Sequence, residues 1–203
     1  MLQDCRGLAV TTGDRDAIEK LDRAHEQFLC FSGDPLGAVE RVIEAAPDMV
    51  MAHCFRAGLL AQAMETRIYD DLLASVEAAE ALATRANDRE RGHIAALRRW
   101  VDGDFFAAVQ IWEDVLTHYP MDLFALQQIH LSDVLLGDVV GQRDSVARVF
   151  PLWDEQVPGY EFLLGFYSFG LEENRDFGRA EEYGRRCGGH APGHPMPFMP
   201  SPM

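Results

Sequence analysis

The feature that most constrains this chain is a series of ten helix-forming segments separated by short turns. Ala, Leu, Glu, Arg and Met fill the segments, whereas Gly, Pro, Asp and Asn stand between them. No segment shows the alternation of β-branched and polar residues that is typical of a strand flanked by turns. Because short turns place consecutive helices side by side and antiparallel, the sequence predicts an all-α fold of helix hairpins.

The boundaries of these helices follow from capping and breaking residues. Asp48 and Asp122 each stand where an N-cap is expected, and Pro47 and Pro120 end the helices before them. The predicted helices cover about 14–31, 35–46, 48–64, 70–85, 87–101, 105–118, 122–137, 142–153, 160–171 and 177–186.

One segment has the spacing of a tetratricopeptide repeat. In Gly103 to Pro120, small Ala108 suits a close helix approach, Trp112 lies one turn further on, and Pro120 ends the helix. Small residues recur along the chain at uneven spacings of 40, 30, 39 and 33, namely at Ala38, Ala78, Ala108, Ala147 and Ala180. These periods predict an irregular α-solenoid of antiparallel hairpins; the alternative is an orthogonal helical bundle.

Several segments resemble the tetratricopeptide-repeat protein 38 family across roughly residues 15–186. The resemblance is carried by Asp48–Leu60, Gly103–Gly137, Arg143–Arg148 with Pro151 and Trp153, and Gly165–Leu171 with Ala180 and Glu181. It implies a longer, cytosolic helical-repeat protein of no settled activity. Members of that family continue the tenth helix into a hairpin with closely spaced histidines, which this chain does not show.

The predicted organisation has three parts: a flexible N-terminus over 1–13, a tetratricopeptide-like domain over 14–186, and a disordered tail over 187–203. The tail holds five prolines and three glycines in 17 residues, which do not favour a helix. Residues 197–203 can be written as codons, and reading those codons in a shifted frame gives a helix-forming segment with closely spaced histidines. We therefore hypothesise a frameshifted gene end; a natural disordered tail is the alternative.

Charge and cysteine content exclude some classes of partner. Thirty-three acidic and 18 basic residues give a formal charge of −15, which repels nucleic-acid phosphates and anionic lipid. The cysteines are Cys5, Cys30, Cys54 and Cys187, without a Cys-x-x-Cys pair, as in a cytoplasmic protein with free thiols. No signature of a nucleotide, metal or serine-hydrolase site is present, so we expect neither a cofactor nor a metal ion.

Two histidines are candidates for a ligand surface. His53 adjoins Cys54 on the third predicted helix, but adjacent helical residues point in different directions, so a packed imidazole beside a buried thiol is the favoured alternative. His130 lies in the seventh predicted helix and could face a concave solenoid surface or fill a helix interface.

An aromatic-rich segment near the C-terminus is the other candidate surface. It could line a groove for a peptide or ligand, or pack the last three helices together. Arg143 and Arg148 lie nearby and suit two-point binding of a carboxylate. The aromatic candidates are Trp153, Tyr160 and Tyr167, with Phe162, Phe166 and Phe169 beside them.

Two functions are consistent with these patterns. The first is a scaffold that binds a protein or peptide on a concave helical face, where the acidic surface favours basic partners. The second is the N-terminal portion of a larger enzyme, or of a small-molecule or metal-binding protein, whose site is completed by further helices. Because catalytic motifs are absent, an enzyme is the less favoured interpretation.

We predict that the 203-residue chain self-associates, or that it is less stable than a longer chain that carries the next hairpin. A solenoid without a polar capping helix exposes the face of its last hairpin, and that face favours a second copy. Sedimentation at several protein concentrations measures this association. A monomer at all concentrations, with a sharp thermal transition, would contradict the prediction.

Overall fold

The computed structural model describes residues 1–190, and these residues form an all-α fold with one short N-terminal hairpin. The two strands, β1 and β2, are Leu2–Gln3 and Ala9–Val10. The ten α-helices of the described part are α1 Arg15–Leu29, α2 Pro35–Ala45, α3 Val50–Ala63, α4 Tyr69–Ala81, α5 Asp88–Val101, α6 Phe105–His118, α7 Leu123–Leu136, α8 Val139–Val149, α9 Tyr160–Glu173 and α10 Phe177–His190. The all-α expectation is confirmed.

Consecutive helices pair as hairpins, and some helices are enclosed by several others. The pairs are α1–α2, α3–α4, α5–α6, α7–α8 and α9–α10, and each pair packs along its length. Helix α3 also contacts α1, α2, α5 and α7. In α7 every residue from Leu123 to His130 is buried, whereas α2 buries only Val39 and Val42. The first helices of the central pairs therefore lie inside, and the second helices present a solvent-exposed face.

Three hairpins share one turn construction. A residue in the left-handed region precedes an Asp whose N–H donates to the carbonyl five residues earlier, at 2.9 Å in each case. The carboxylate of the same Asp accepts the N–H three residues later, at 3.2, 2.8 and 3.4 Å in chain order. One residue thus closes the first helix and opens the second. The pairs are Gly103–Asp104, Gly137–Asp138 and Arg175–Asp176.

The repeat-like segment packs as its residue types suggest. Ala108 and Trp112 on α6 are both fully buried. The Trp112 ring faces Trp100 on α5, with ring centroids 6.1 Å apart. A small residue at one turn and a large one at the next let α6 approach α5 closely while the space beside it stays filled.

The N-terminal segment differs from the flexible stretch expected over 1–13. β1 and β2 pair antiparallel, and the amide of Thr11 donates to the Glu90 carboxylate at 2.8 Å. The carbonyl of Ala9 accepts N–H groups from Asn87 and Arg89, both at 3.1 Å. The strands are too short to show alternation, so their order comes from contacts with α5 and not from a local pattern.

Several helix boundaries also differ from expectation: α4 ends at Ala81 and not near 85, and α8 ends at Val149 and not near 153. Helix α8 begins after Asp138, earlier than residue 142, because that side chain caps it. Helix α10 continues through Cys187 to His190, although a tail was expected to start at 187. The Cys187 thiol donates to the Glu161 carbonyl at 3.2 Å, and this packing offsets the low helix propensity of the glycines that follow. The rest of the predicted tail, 191–203, lies outside the described residues.

Within residues 1–190, no helix combines the length and apolar character needed to cross a membrane.

Gly170 gives a test of this packing. A methyl group there would lie 2.9 Å from the Arg143 Cα on α8, so we expect Gly170→Ala to lower the free energy of unfolding by about 1–3 kcal/mol. At Gly178 in α10 no atom of the described residues lies within 4 Å of the same position, and Gly178→Ala should be neutral or stabilise by up to about 1 kcal/mol. Urea titrations of both variants measure the difference. Equal stability of the two would contradict the close contact between α8 and α9.

Candidate functional site

The carboxylate of Asp122 is a buried junction between α5 and α7. Its Oδ2 accepts hydrogen bonds from Arg89 Nη1 at 2.9 Å and from His93 Nε2 at 2.8 Å. Its Oδ1 accepts the Ala125 amide at 2.9 Å and so caps α7. Burial raises the pKa of Asp122, but the neighbouring His93 and Arg89 lower it more, so the pKa lies well below its usual range. The group is therefore a carboxylate at neutral pH.

Arg89 connects this junction to the N-terminal hairpin. Its side chain is only 4% exposed, and Nη2 donates to the Ala9 carbonyl at 3.1 Å. The adjacent Glu90 is fully buried, accepting the Thr11 amide with one oxygen and the Asn87 amide with the other. The hairpin is thus held on α5 by charged side chains that the protein interior keeps from water.

His25 on α1 faces the same interior. Its Nε2 donates to Gln127 Oε1 at 2.9 Å, and its ring lies edge-on to Phe55 and Phe124, with centroids 5.4 and 5.8 Å away. Burial lowers the pKa of His25 to about 3. The imidazole is therefore neutral at physiological pH and contributes a hydrogen bond and no charge.

A small cavity of about 40 Å³ lies among these residues. It is bounded by the N-terminal hairpin, α1, the start of α3, α5 and α7. Two guanidinium groups border it, and each has a buried Nε–H that finds no hydrogen-bond partner within residues 1–190. Its polar lining consists of Asp4, Arg6, Asp22, His25, Arg89 and Asp122, and its apolar lining of Val10, Ile18, Leu21, Met49, Met51, Phe55 and Phe124.

A larger cleft of about 390 Å³ adjoins the small cavity. It lies between α1 and the segment that leads into α9, and it shares Arg6, Asp22 and His25 with the small cavity. We call it the α1–α9 cleft. Four carboxylates and two guanidinium groups line it, together with a thiol and apolar side chains. The charged residues are Asp22, Glu26, Glu155, Glu161, Arg6 and Arg23.

The two predicted histidines lie in structural positions. His53 Nε2 bonds the Pro47 carbonyl at 2.8 Å, which braces the turn before α3. His130 is fully buried between α7 and α9, with its ring 4.7 Å from Phe166 and 5.5 Å from Phe169 between centroids. Burial lowers the pKa of His130 to about 3, so this imidazole is neutral.

The predicted aromatic residues are largely buried at helix contacts. The Trp153 indole N–H donates to the Pro120 carbonyl at 2.8 Å. Tyr160 accepts a hydrogen bond from Arg186 at 2.8 Å, and Tyr167 accepts one from Arg179 at 2.6 Å. The rings of Tyr160 and Tyr167 both contact the ring of Phe150, and Tyr183 contacts Phe150 and Tyr167. These four residues form one aromatic cluster.

The predicted arginines do not form a joint site with these aromatics. Arg143 pairs with the neighbouring Asp144 at 2.7 Å, and Arg148 pairs with Glu113 on α6. Among the residues that line the small cavity and the α1–α9 cleft, none of the seven candidates from the sequence appears. Those candidates are His53, His130, Arg143, Arg148, Trp153, Tyr160 and Tyr167.

Sequence reasoning missed the residues that do surround the cavities. Asp122 was identified only as a helix cap, which it is, and its second role needs Arg89 from another hairpin. Arg6 belongs to a segment expected to be flexible. A long-range ion pair leaves no periodic signal in the sequence. The local indication of this cluster is the spacing of Arg89 and His93, which are four residues apart and therefore lie on the same face of α5.

No set of three His, Cys, Asp or Glu side chains in residues 1–190 is arranged to hold a metal ion. The chain was compared with models of known protein families, and none matches. The resemblance to the tetratricopeptide-repeat protein 38 family therefore stays a prediction.

The buried neutral histidines predict a pH dependence. Burial holds the folded pKa of His130 at about 3, below the usual 6.5, so between these values the unfolded chain binds the extra proton and stability falls as pH falls. His130→Gln should reduce the slope of unfolding free energy against pH by about 1.4 kcal/mol per pH unit between about pH 4 and 5.5. Urea titrations across this range measure the slope. An unchanged slope would show that His130 is protonated in the folded protein.

Proposed function

We propose that this chain is a tetratricopeptide-like helical-repeat module that binds a basic segment of a protein partner in the α1–α9 cleft. This proposal rests on the lining of that cleft, which contains four carboxylates and two guanidinium groups. His25, the other titratable nitrogen there, is neutral because burial lowers its pKa to about 3. The cleft therefore carries a net negative charge and attracts Lys or Arg side chains.

The repeat architecture supports this proposal. Five hairpins follow one another in the part of the chain that the structure describes, and three of them use the same Asp turn between their helices. Proteins built of stacked hairpins present extended surfaces for partners, and their stability comes from contacts between neighbouring repeats. An irregular α-solenoid is our interpretation of this arrangement. The contact between α3 and α7 is a departure from a regular solenoid, because these helices belong to non-adjacent hairpins.

Overall charge supports the same class of partner. The chain has a formal charge of −15, which speeds encounters with basic partners at low salt. Buried free thiols at Cys30, Cys54 and Cys187 suit a reducing compartment, so we place this interaction in the cytoplasm.

A direct test uses rhodamine-labelled pentapeptides that end in Lys-Arg or Arg-Lys, with fluorescence anisotropy as the readout. We expect binding that weakens as salt rises. Glu155→Gln combined with Glu161→Gln should lower the affinity about three- to tenfold, since each partly exposed charge pair contributes up to about 1 kcal/mol. These two carboxylates line the cleft near its α9 side.

The matched control is Glu182→Gln, which removes one carboxylate from the exposed face of α10 and does not touch the cleft. It should leave the affinity within about twofold of the unchanged chain, because distant exposed charges are screened by salt. Equal losses in the cleft variant and in Glu182→Gln would mean that the peptides respond to overall charge alone, which would overturn the proposed location.

A further inference from the structure

We propose that the small cavity at the inner end of the α1–α9 cleft binds a carboxylate group between Arg6 and Arg89, so that the ligand is an α-carboxylate with a cationic group attached. This inference rests on the proposed function and specifies its ligand. The class comprises the C-terminal Lys or Arg of a peptide and the free basic amino acid. Both present the same carboxylate and the same cation.

Unpaired hydrogen-bond donors are the first observation. The Arg6 side chain is 9% exposed, and its ion-pair contact with Asp22 is long, at 3.9 Å. Arg89 is 4% exposed. In the described part of the chain, neither the Arg6 Nε–H nor the Arg89 Nε–H, both buried, has a hydrogen-bond partner. A buried charged donor without an acceptor is costly, so an acceptor belongs beside these two groups.

The acidic groups of the cavity are already engaged. Asp122 accepts from Arg89, His93 and the Ala125 amide. The Asp4 carboxylate accepts the amides of Arg6 and Leu8, both at 2.9 Å. Since the unpaired groups here are donors, the missing partner brings oxygen acceptors.

Asp22 is the remaining carboxylate of the cavity. Its Oδ2 accepts the Cys5 amide at 3.1 Å, and its Oδ1 is the atom that faces Arg6 at long range. Arg6 therefore keeps donor capacity that Asp22 does not use. A carboxylate supplies two oxygens in the plane that a guanidinium group recognises by paired hydrogen bonds.

Size and position agree with this assignment. A volume of about 40 Å³ has room for a few water-sized groups, as a carboxylate needs. Arg6 also lies next to Gly159, where an added methyl carbon would be 3.9 Å from its Nη1. Its guanidinium thus lies at the boundary between the small cavity and the α1–α9 cleft. A ligand whose carboxylate occupies the small cavity would extend past Arg6 into the cleft.

The charge around the two cavities selects a ligand that carries both signs. Asp4, Asp22 and Asp122 also border the small cavity, so a simple anion would add uncompensated negative charge. A ligand with its own cation avoids this, because the cation meets Glu26, Glu155 and Glu161 in the outer cleft. In a C-terminal Lys or Arg, the carboxylate would therefore occupy the small cavity and the side-chain cation would lie in the α1–α9 cleft.

The experiment compares each rhodamine-labelled pentapeptide with the same peptide amidated at its C-terminus. We expect the free acid to bind about ten- to a hundredfold more tightly than the amide, the range typical of one hydrogen-bonded charge buried in a complex. Free L-arginine and L-lysine, measured by calorimetry and by competition, distinguish a small-molecule ligand from a peptide end.

Variants locate the effect. Arg6→Gln should bring the acid and the amide to within about twofold of each other, and Arg6→Lys should restore part of the difference, because an ammonium keeps the charge but loses the paired geometry. Arg185→Gln, on the exposed face of α10, is the control and should keep the full difference. Thermal melting of each variant checks that the fold is retained.

The outcomes separate the two proposals. Equal binding of acid and amide by the unchanged chain would overturn the carboxylate site, leaving a cavity that holds water only, while the basic-segment function stands. Failure of every peptide and both amino acids to bind would overturn both proposals. A difference between acid and amide that persists in Arg6→Gln would place the carboxylate elsewhere and overturn the site.

Discussion

The ion pair between Asp122 and Arg89 is the contact on which the arrangement of the interior depends. One carboxylate begins α7, binds Arg89 and His93 of α5, and through Arg89 holds the carbonyl of Ala9. Removing it would leave a guanidinium buried without its counter-ion, a loss of about 3–5 kcal/mol in comparable buried pairs. Together with Glu90, this group fixes the N-terminal hairpin on α5, and the hairpin segment borders both cavities.

The helices could be predicted from the sequence because their boundaries are set by neighbouring residues. Helix α6 runs from Phe105 to His118 as expected, since Gly103 and Asp104 before it and Pro120 after it act within a few residues. At Asp138 the cap is equally local, but the predicted start of α8 near 142 lies three residues after the observed start at Val139. Local chemistry therefore predicts which segments are helical and most of their ends.

The candidate site could not be predicted because its residues are distant in the chain. Thr11 and Glu90 bond across 79 residues, and Arg6 meets Asp22 from a segment without periodicity. The aromatic candidates were identified from local density alone. Tyr160 and Tyr167 lie buried in the contacts of α9 and α10, where density reflects packing. Which polar groups share a cavity depends on how hairpins stack, and that information is not local.

The docking of the N-terminal hairpin has a consequence for synthesis. The hairpin leaves the ribosome before α5, because its acceptors and donors on α5 follow about 80 residues later, as the separation of Ala9 from Arg89 shows. The segment of the cleft that leads into α9 is made later still. The hairpin therefore reaches its final environment only after α5 has been made, and the cavities close only when most of the described helices exist. Contacts of such long sequence separation slow folding relative to the hairpins themselves.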